Sequence, residues 1–411
     1  MNTHHHPLNF ENTQEAFAYK SDRQLKKSRW LFRLMQHAWL VKWGSWLTPL
    51  AIHWKLPIRG LLKSTLFEQF VGGESLRETT PVIDQLGKYH VSAILDYGVE
   101  GSSSSDEHYD KERDTFISVI EHASTAKNIS FISIKVTGLV ATPILEKLNT
   151  SIGVHPQPIW QGGVKRAIAN LSPEDKKAWE HLMGRMRSIC STAQSRQIAV
   201  MIDAEESWIQ DGIDHVALSM MTEFNQGKAI VYNTVQLYRS DRLEFLESMI
   251  EDAKKDRYIL GVKLVRGAYM EKERKRAELM HYPSPIQINK ESSDKDYDRA
   301  VARCMNEIER ISIVIGSHNE ASSRLAAELA MQKGLRPNDP HVHFSQLYGM
   351  SDHLTFNLAA AGFNASKYLP FGPIEEVIPY LMRRAQENSS VSGQTSRELE
   401  LINKECSRRG I

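Results

Sequence analysis

Reactive and polar side chains recur at regular places along the 411 residues. Asp96, Lys135, Asp203 with Ala204 and Glu205, Gln236 with Tyr238, Lys263 with Arg266 and Tyr269, Ser317-His318-Asn319, Ser345-Gln346 and Tyr368 each lie within, close or directly follow a short apolar run. One such residue would read as an ordinary surface polar group. Eight sets at one end of a sheet make a site, because polar groups gathered in a barrel mouth are costly unless they are used. The types on offer are cations for anion recognition, a carboxylate for proton transfer, an amide for hydrogen bonding and lysines able to act as amine nucleophiles. A second set, Tyr380, Arg383, Arg384 and Glu387, is spaced i, i+3, i+4, i+7, which is one face of a helix. Two adjacent guanidiniums beside a tyrosine ring can hold a carboxylate. The plainer alternative is an exposed face with Arg383 paired to Glu387.

The elements that must position these groups follow from hydrophobic periodicity. The apolar runs predict eight strands, at 92–97, 131–136, 198–203, 229–235, 259–265, 312–316, 342–346 and 366–370. Amphipathic stretches such as 239–255, 297–310, 321–333, 352–361 and 375–387 lie between them. Strands buried on both faces, each followed by a helix, imply a parallel sheet, and eight such units imply an α/β fold of the (β/α)8 TIM-type barrel class. An open doubly wound sheet is the alternative, but no GxGxxG follows any strand. The start of the chain reads as helical, at 14–19, 25–47 and 58–70, with breaks at Pro49 and Pro57. The expected organisation is therefore an N-terminal helical arm over 1–90, a catalytic barrel over 91–390 and a C-terminal tail over 391–411.

A hydrophobic content of 41% with 25% charged residues excludes wholesale disorder. The net charge of +1 argues against a general nucleic-acid binder. The charge is segregated, however. Residues 23–67 contain no Asp or Glu but nine Lys or Arg, so the rest of the chain is net acidic. Trp30, Trp39, Trp43, Trp46 and Trp54, five of the eight tryptophans, fall in the same segment. Trp with Lys and Arg is the composition of a helix lying on anionic lipid. An arm packed on the barrel is the other reading, and the two can coexist on different faces. Cys190, Cys304 and Cys406 form no CxxC and no metal pattern, so no metal site is expected and a reducing compartment is. No export signal is expected at the N-terminus, and no apolar stretch reaches the ~18 residues of a membrane span. These readings place the chain in the cytoplasm, peripherally on the inner face of a membrane.

Several long motifs carry a resemblance. GVKLVRGAY from Gly261 to Tyr269 and YLPFGPIEEVIPYLMRRAQEN from Tyr368 to Asn388 resemble the two signatures of flavin-dependent proline dehydrogenases. IKVTGL around Lys135, IDAEE around Asp203, YNTVQ ending at Gln236 and GSHN ending at Asn319 are similar to the same family. FVGGE from Phe70 and SAILDYGVE from Ser92 resemble its monofunctional, eukaryote-like branch. The resemblance covers roughly residues 65 to 390 and implies a distorted barrel holding non-covalent FAD over its carboxyl face. It implies oxidation of L-proline to 1-pyrroline-5-carboxylate by hydride transfer from C5 to the flavin N5, with electrons passed to a membrane quinone.

By the same resemblance Lys135, Arg383 and Arg384 would bind the proline carboxylate. Leu264, Tyr269, Tyr368 and Tyr380 would wall the ring. Asp203 and Lys263 would be catalytic, with Lys263 near the flavin N5 edge. Ala204, Gln236, Lys263, Arg266, Gly267, Ala268, Ser317 and His318 would hold FAD, with Asn319 and Glu387 nearby. Proline must be expected over 4-hydroxy-L-proline, because a ring as bulky as Tyr368 beside C4 leaves no room for a hydroxyl. Two readings outside the family are a Schiff-base lyase using Lys263 or Lys135 and a non-enzymatic membrane scaffold built on the basic segment.

Overall fold

The structure, a computed structural model, describes residues 8–37, 39, 59–98, 105–149, 160–390 and 394–411; within these, the side chains of 59, 61, 160–162, 387–390 and 394–396 are not described. Eight strands are present: β1 Val91–Tyr97, β2 Ile129–Ile134, β3 Ala199–Ile202, β4 Val231–Gln236, β5 Leu260–Val265, β6 Ile311–Gly316, β7 Val342–Leu347 and β8 Ala365–Phe371. They close into a barrel in chain order. Every strand expected from the sequence is found. The runs are rich in Val and Ile, whose branched Cβ suits a pleated, buried surface.

The chain divides into two compact units. One unit holds residues 100–126 and 130–343 and therefore β2 to β6. Its strands pair in parallel register, with Phe131 beside Ala199, Val200 beside Val231, Thr234 beside Lys263 and Lys263 beside Val314. A buried polar network ties β4 to the helix Ser207–Phe224. Asp214 accepts from Gln210 at 2.9 Å, from Asn233 at 2.9 Å and from Arg242 at 2.5 Å. Burial alone would make Asp214 hard to ionise, and the Arg242 guanidinium opposes that.

The other unit holds residues 1–99, 127–129 and 344–411, hence β1 and β8 together with both terminal segments. β8 pairs in parallel with β1 and with β7, Ala365 lying beside both Val91 and Phe344. The arm helix Asp22–Met35 starts at a capping box formed by Ser21 and Gln24, which satisfies two otherwise orphaned N–H groups. Its buried face, Leu25, Leu31, Phe32 and Met35, joins Phe67, Phe70, Val377, Leu381 and Ile402 in one apolar cluster. The stretch expected as a tail instead forms the helix Gln394–Arg409, which supplies Leu399, Leu401 and Ile402 to that cluster.

A buried ion cluster pins the arm to β8. Asp352 is gripped by Lys20 at 3.1 Å, by Lys367 of β8 at 2.8 Å and by the Tyr19 hydroxyl at 2.8 Å. The two ammonium groups overcome the burial and hold the Asp352 carboxyl well below the usual carboxylate range. Removing one partner of such a cluster would leave an uncompensated buried charge, a loss of about 3–5 kcal/mol.

Candidate active site

In a barrel, functional side chains gather where strands end at their carboxyl side. In the β2–β6 unit these positions are occupied by Lys135 after β2, Asp203 after β3, Gln236 closing β4, Lys263 and Arg266 at the end of β5, and Ser317 and His318 after β6. Side-chain alternation decides which of them face inward. Asn233 reaches the Ser207–Phe224 helix, so it points outward, and its neighbours in sequence Thr234 and Tyr232 point the other way. Lys263 lies in register with Thr234 and therefore shares the inward face. Leu264 lies in register with Val235 and shares the outward, helix-facing side, fully buried. The expected contribution of Leu264 to the ring wall would have to come from this buried side, opposite Lys263 on the same strand.

Lys263 donates to the carboxylate of Asp203. The pair fixes a cation and a carboxylate side by side at the strand ends, with Lys263 almost wholly buried. Arg266 is held more extensively. Its guanidinium donates to Asp294 at 2.6 Å, to Ser317 at 2.9 Å and to Ser322 at 2.9 Å, and it stacks 4.3 Å from the Tyr297 ring centre. Asn319 caps the helix Glu320–Gln332 by accepting from the Ser322 N–H at 3.1 Å, and its own N–H donates to Ser317 at 3.1 Å. His318 thus stands just ahead of a helix N-terminus beside Arg266, an arrangement suited to an anion. Asp294 and Ser322, which orient Arg266, were not singled out in the sequence, and Lys290 is engaged with Asp294 rather than free for other work.

Glu205 is a third residue that the sequence left without a role. Its carboxylate accepts from the Thr137 hydroxyl at 2.6 Å and from the Thr137 N–H at 3.3 Å. Its own N–H donates to Gln210 at 2.8 Å. Burial, only partly offset by Thr137 and Lys135, pushes the Glu205 carboxyl up to about 7.

In the unit containing β1 and β8, Lys367 points outward to Asp352, so Tyr368, one residue on, points to the inner face. The helix Ile374–Ser390 follows. It buries Ile374, Val377 and Leu381 in the cluster shared with the arm, and Tyr380 packs partly against the same cluster. Arg384 is buried with its guanidinium 5.1 Å from the Tyr380 ring centre, and Arg383 is half-buried. The Glu387 side chain lies outside the described residues, as do Trp43, Trp46 and Trp54.

Two observations test whether the β2–β6 unit suits the flavin that the resemblance implies. The Gln236 Oε1 is buried without a hydrogen-bond partner among the described residues, which is unfavourable unless a ligand donor meets it. Gly267 has φ +136°, and a Cβ there would stand 2.4 Å from the Tyr238 ring, so only glycine lets the backbone follow this path. Beside it Ala268 is exposed and Ala204 half-exposed, small side chains bordering open surface. An unmet amide, a close backbone approach and a cationic corner at Arg266 and His318 fit a flat, hydrogen-bonding cofactor that carries phosphates.

Comparison with known proteins gives a consistent result. Residues 79–397 match the family model described as proline dehydrogenase. The chain is 28% identical to proline dehydrogenase 1, mitochondrial, of Caenorhabditis elegans, across 98% of this chain and 88% of that protein. It is 29% identical to hydroxyproline dehydrogenase of Xenopus laevis, across 96% of this chain and 89% of that protein. Among solved structures, proline utilization A from Bdellovibrio bacteriovorus superposes with a TM-score of 0.70 at 19% identity, covering 96% of this chain. The chain spans only 39% of that larger protein, and the likeness bears on the fold.

Proposed function

The chain belongs to the proline dehydrogenase family and is an oxidoreductase of that family; from this premise we propose that it oxidises L-proline to 1-pyrroline-5-carboxylate with bound FAD. The observation that carries the cofactor reading is the buried, unmet Gln236 amide oxygen beside the close-approach glycine Gly267. FAD, held non-covalently, supplies the acceptor for the hydride that leaves proline C5. Gln236 is proposed to meet its pyrimidine edge and Arg266 and His318 its pyrophosphate, with Ala204, Gly267, Ala268, Ser317, Asn319 and Glu387 lining the remainder.

The chain's own side chains then do the substrate work. Lys135, Arg383 and Arg384 hold the proline carboxylate, and this fixed anchor orients C5 at the other end of the ring. Arg384 is pre-set for the task by its packing on Tyr380. Tyr269, Tyr368 and Tyr380 wall the ring and exclude water from it. The ring nitrogen must lose its extra proton before hydride can leave, and nearby cations favour the neutral amine. Lys263 supplies such a charge, held in place by Asp203, whose carboxylate is the proposed catalytic acid–base group.

Electrons leave for a membrane quinone, and the basic arm over 23–67 brings the site to the membrane surface, on its inner face. No helix among the described residues is long and apolar enough to cross a membrane. The named relative of Caenorhabditis elegans is mitochondrial.

The likeness to a hydroxyproline dehydrogenase keeps a second substrate in play. The inward Tyr368 favours proline, since its ring occupies the space a 4-hydroxyl would need. Dye-coupled steady-state kinetics separate the two. L-proline is expected to have the higher kcat/KM, whereas equal or better turnover of 4-hydroxy-L-proline would overturn the assignment. A lyase using Lys263 as a Schiff-base nucleophile is disfavoured because that amine is committed to Asp203.

A further inference from the structure

Glu205 is engaged with the turn that follows β2. Lys135 is the residue at the mouth of that turn, which runs Val136–Gly138 as a short 3-10 helix. The Glu205 carboxylate holds both donors of Thr137, the backbone N–H and the hydroxyl. Glu205 is itself fixed at its backbone by Gln210, and Gln210 is fixed by Asp214 in the buried network with Asn233 and Arg242. A rigid chain of hydrogen bonds therefore runs from the interior of the unit to the one turn that presents Lys135.

We propose that Glu205 is a positioning residue for the carboxylate-binding lysine: it grips the turn after β2 and sets where the Lys135 ammonium stands. The inference rests on the reading that Lys135 binds the substrate carboxylate. Positioning of this kind governs affinity because a charge-assisted contact weakens steeply with misplacement.

The grip also has an electrostatic side. The charged groups acting on Glu205 are Lys135 after β2, which favours its ionised form, and the adjoining Glu206, which opposes it. Glu206 is in turn paired with Lys272, and Asp203 with Lys263. When Glu205 ionises, its negative charge competes with the ligand carboxylate for Lys135, so ligand affinity falls as pH rises through about 7. Below that pH Glu205 is neutral and still accepts from Thr137.

The test uses the flavin-loaded protein and tetrahydrofuran-2-carboxylate, a five-membered ring carboxylate with no amine to titrate or oxidise. Its affinity is measured by calorimetry at pH 6 and pH 8.5. Glu205→Gln keeps an acceptor for Thr137 and carries no charge, so it is expected to match the parent at pH 6 and bind more tightly than the parent at pH 8.5. Glu205→Ala loses the grip and is expected to bind up to roughly tenfold more weakly at pH 6, the scale of one lost hydrogen bond between neutral groups. If Glu205→Ala fails to fold, Thr137→Val, which removes only the hydroxyl donor, must weaken binding in the same direction. In a Lys135→Met background the effect of Glu205→Gln is expected to vanish. A Glu205→Gln to parent affinity ratio that is the same at both pH values, or that persists without Lys135, would overturn the proposal. If Lys135→Met alone leaves affinity unchanged, the carboxylate role of Lys135 itself fails, and the Glu205 proposal goes with it.

Discussion

At the residue scale, substrate choice depends on which way individual side chains point. Tyr368 and Lys367 are adjacent in β8, and alternation sends one inward and the other to Asp352. The proposed preference for proline over 4-hydroxy-L-proline resides in that inward ring. Replacing it by Tyr368→Ser is expected to shift the ratio of kcat/KM values toward hydroxyproline by about tenfold or more, the range a filled or emptied pocket commands. Kinetics with both substrates on the two proteins check this, and an unchanged ratio would remove Tyr368 from the specificity wall. Much of the residue-level site was legible, because Lys135, Asp203, Gln236 and Lys263 each terminate or punctuate an apolar run. The face on which Leu264 lies was not legible, because a motif gives neighbours in sequence while the β4–β5 register decides faces. Glu205 had no readable partner, since Thr137 lies 68 positions away and a Thr–Glu contact leaves no periodic trace.

At the element scale, the helix Ile374–Ser390 carries Tyr380, Arg383 and Arg384 but does not stand by its own propensity. Pro379 lies inside it and removes one helical hydrogen bond. Its Val377 and Leu381 are buried with Phe32 of the arm and Phe70. Truncating Phe32, which is almost fully buried, is expected to cost about 3–5 kcal/mol of stability. Because the helix loses a packing partner, Phe32→Ala should also weaken binding of a ring carboxylate more than it weakens FAD retention. Thermal melting with ligand titration measures both. Equal losses, or none for the carboxylate, would mean that the arm does not support this helix. The barrel strands were legible from short apolar runs, most of them rich in Val and Ile, and the helices between them from charged-amphipathic spacing. The Gln394–Arg409 helix was not, because among its described side chains the apolar core takes Leu399, Leu401, Ile402 and Cys406, too sparse a pattern to separate from a polar tail.

At the scale of the whole molecule, the net charge of +1 conceals a basic arm and an acidic remainder. The arm has two faces in the described part. One is buried with Phe32 and Met35, while Trp30 and Trp39 are 52% and 63% exposed. Exposed tryptophans beside Lys26, Lys27, Arg29 and Arg33 fit a lipid headgroup layer, where each cation contributes roughly 1 kcal/mol. Co-sedimentation with anionic vesicles is expected to fall on replacing both Trp30 and Trp39 by serine and to weaken with salt, with dye-coupled turnover retained. Unchanged partitioning would return the segment to a purely structural role. The central claim, flavin-dependent oxidation of L-proline, has a more direct test. The visible spectrum of the purified protein is recorded without oxygen before and after adding L-proline. The flavin absorbance is expected to bleach on addition of L-proline and to return with an electron acceptor. A preparation reconstituted with FAD whose spectrum L-proline leaves unchanged would contradict it.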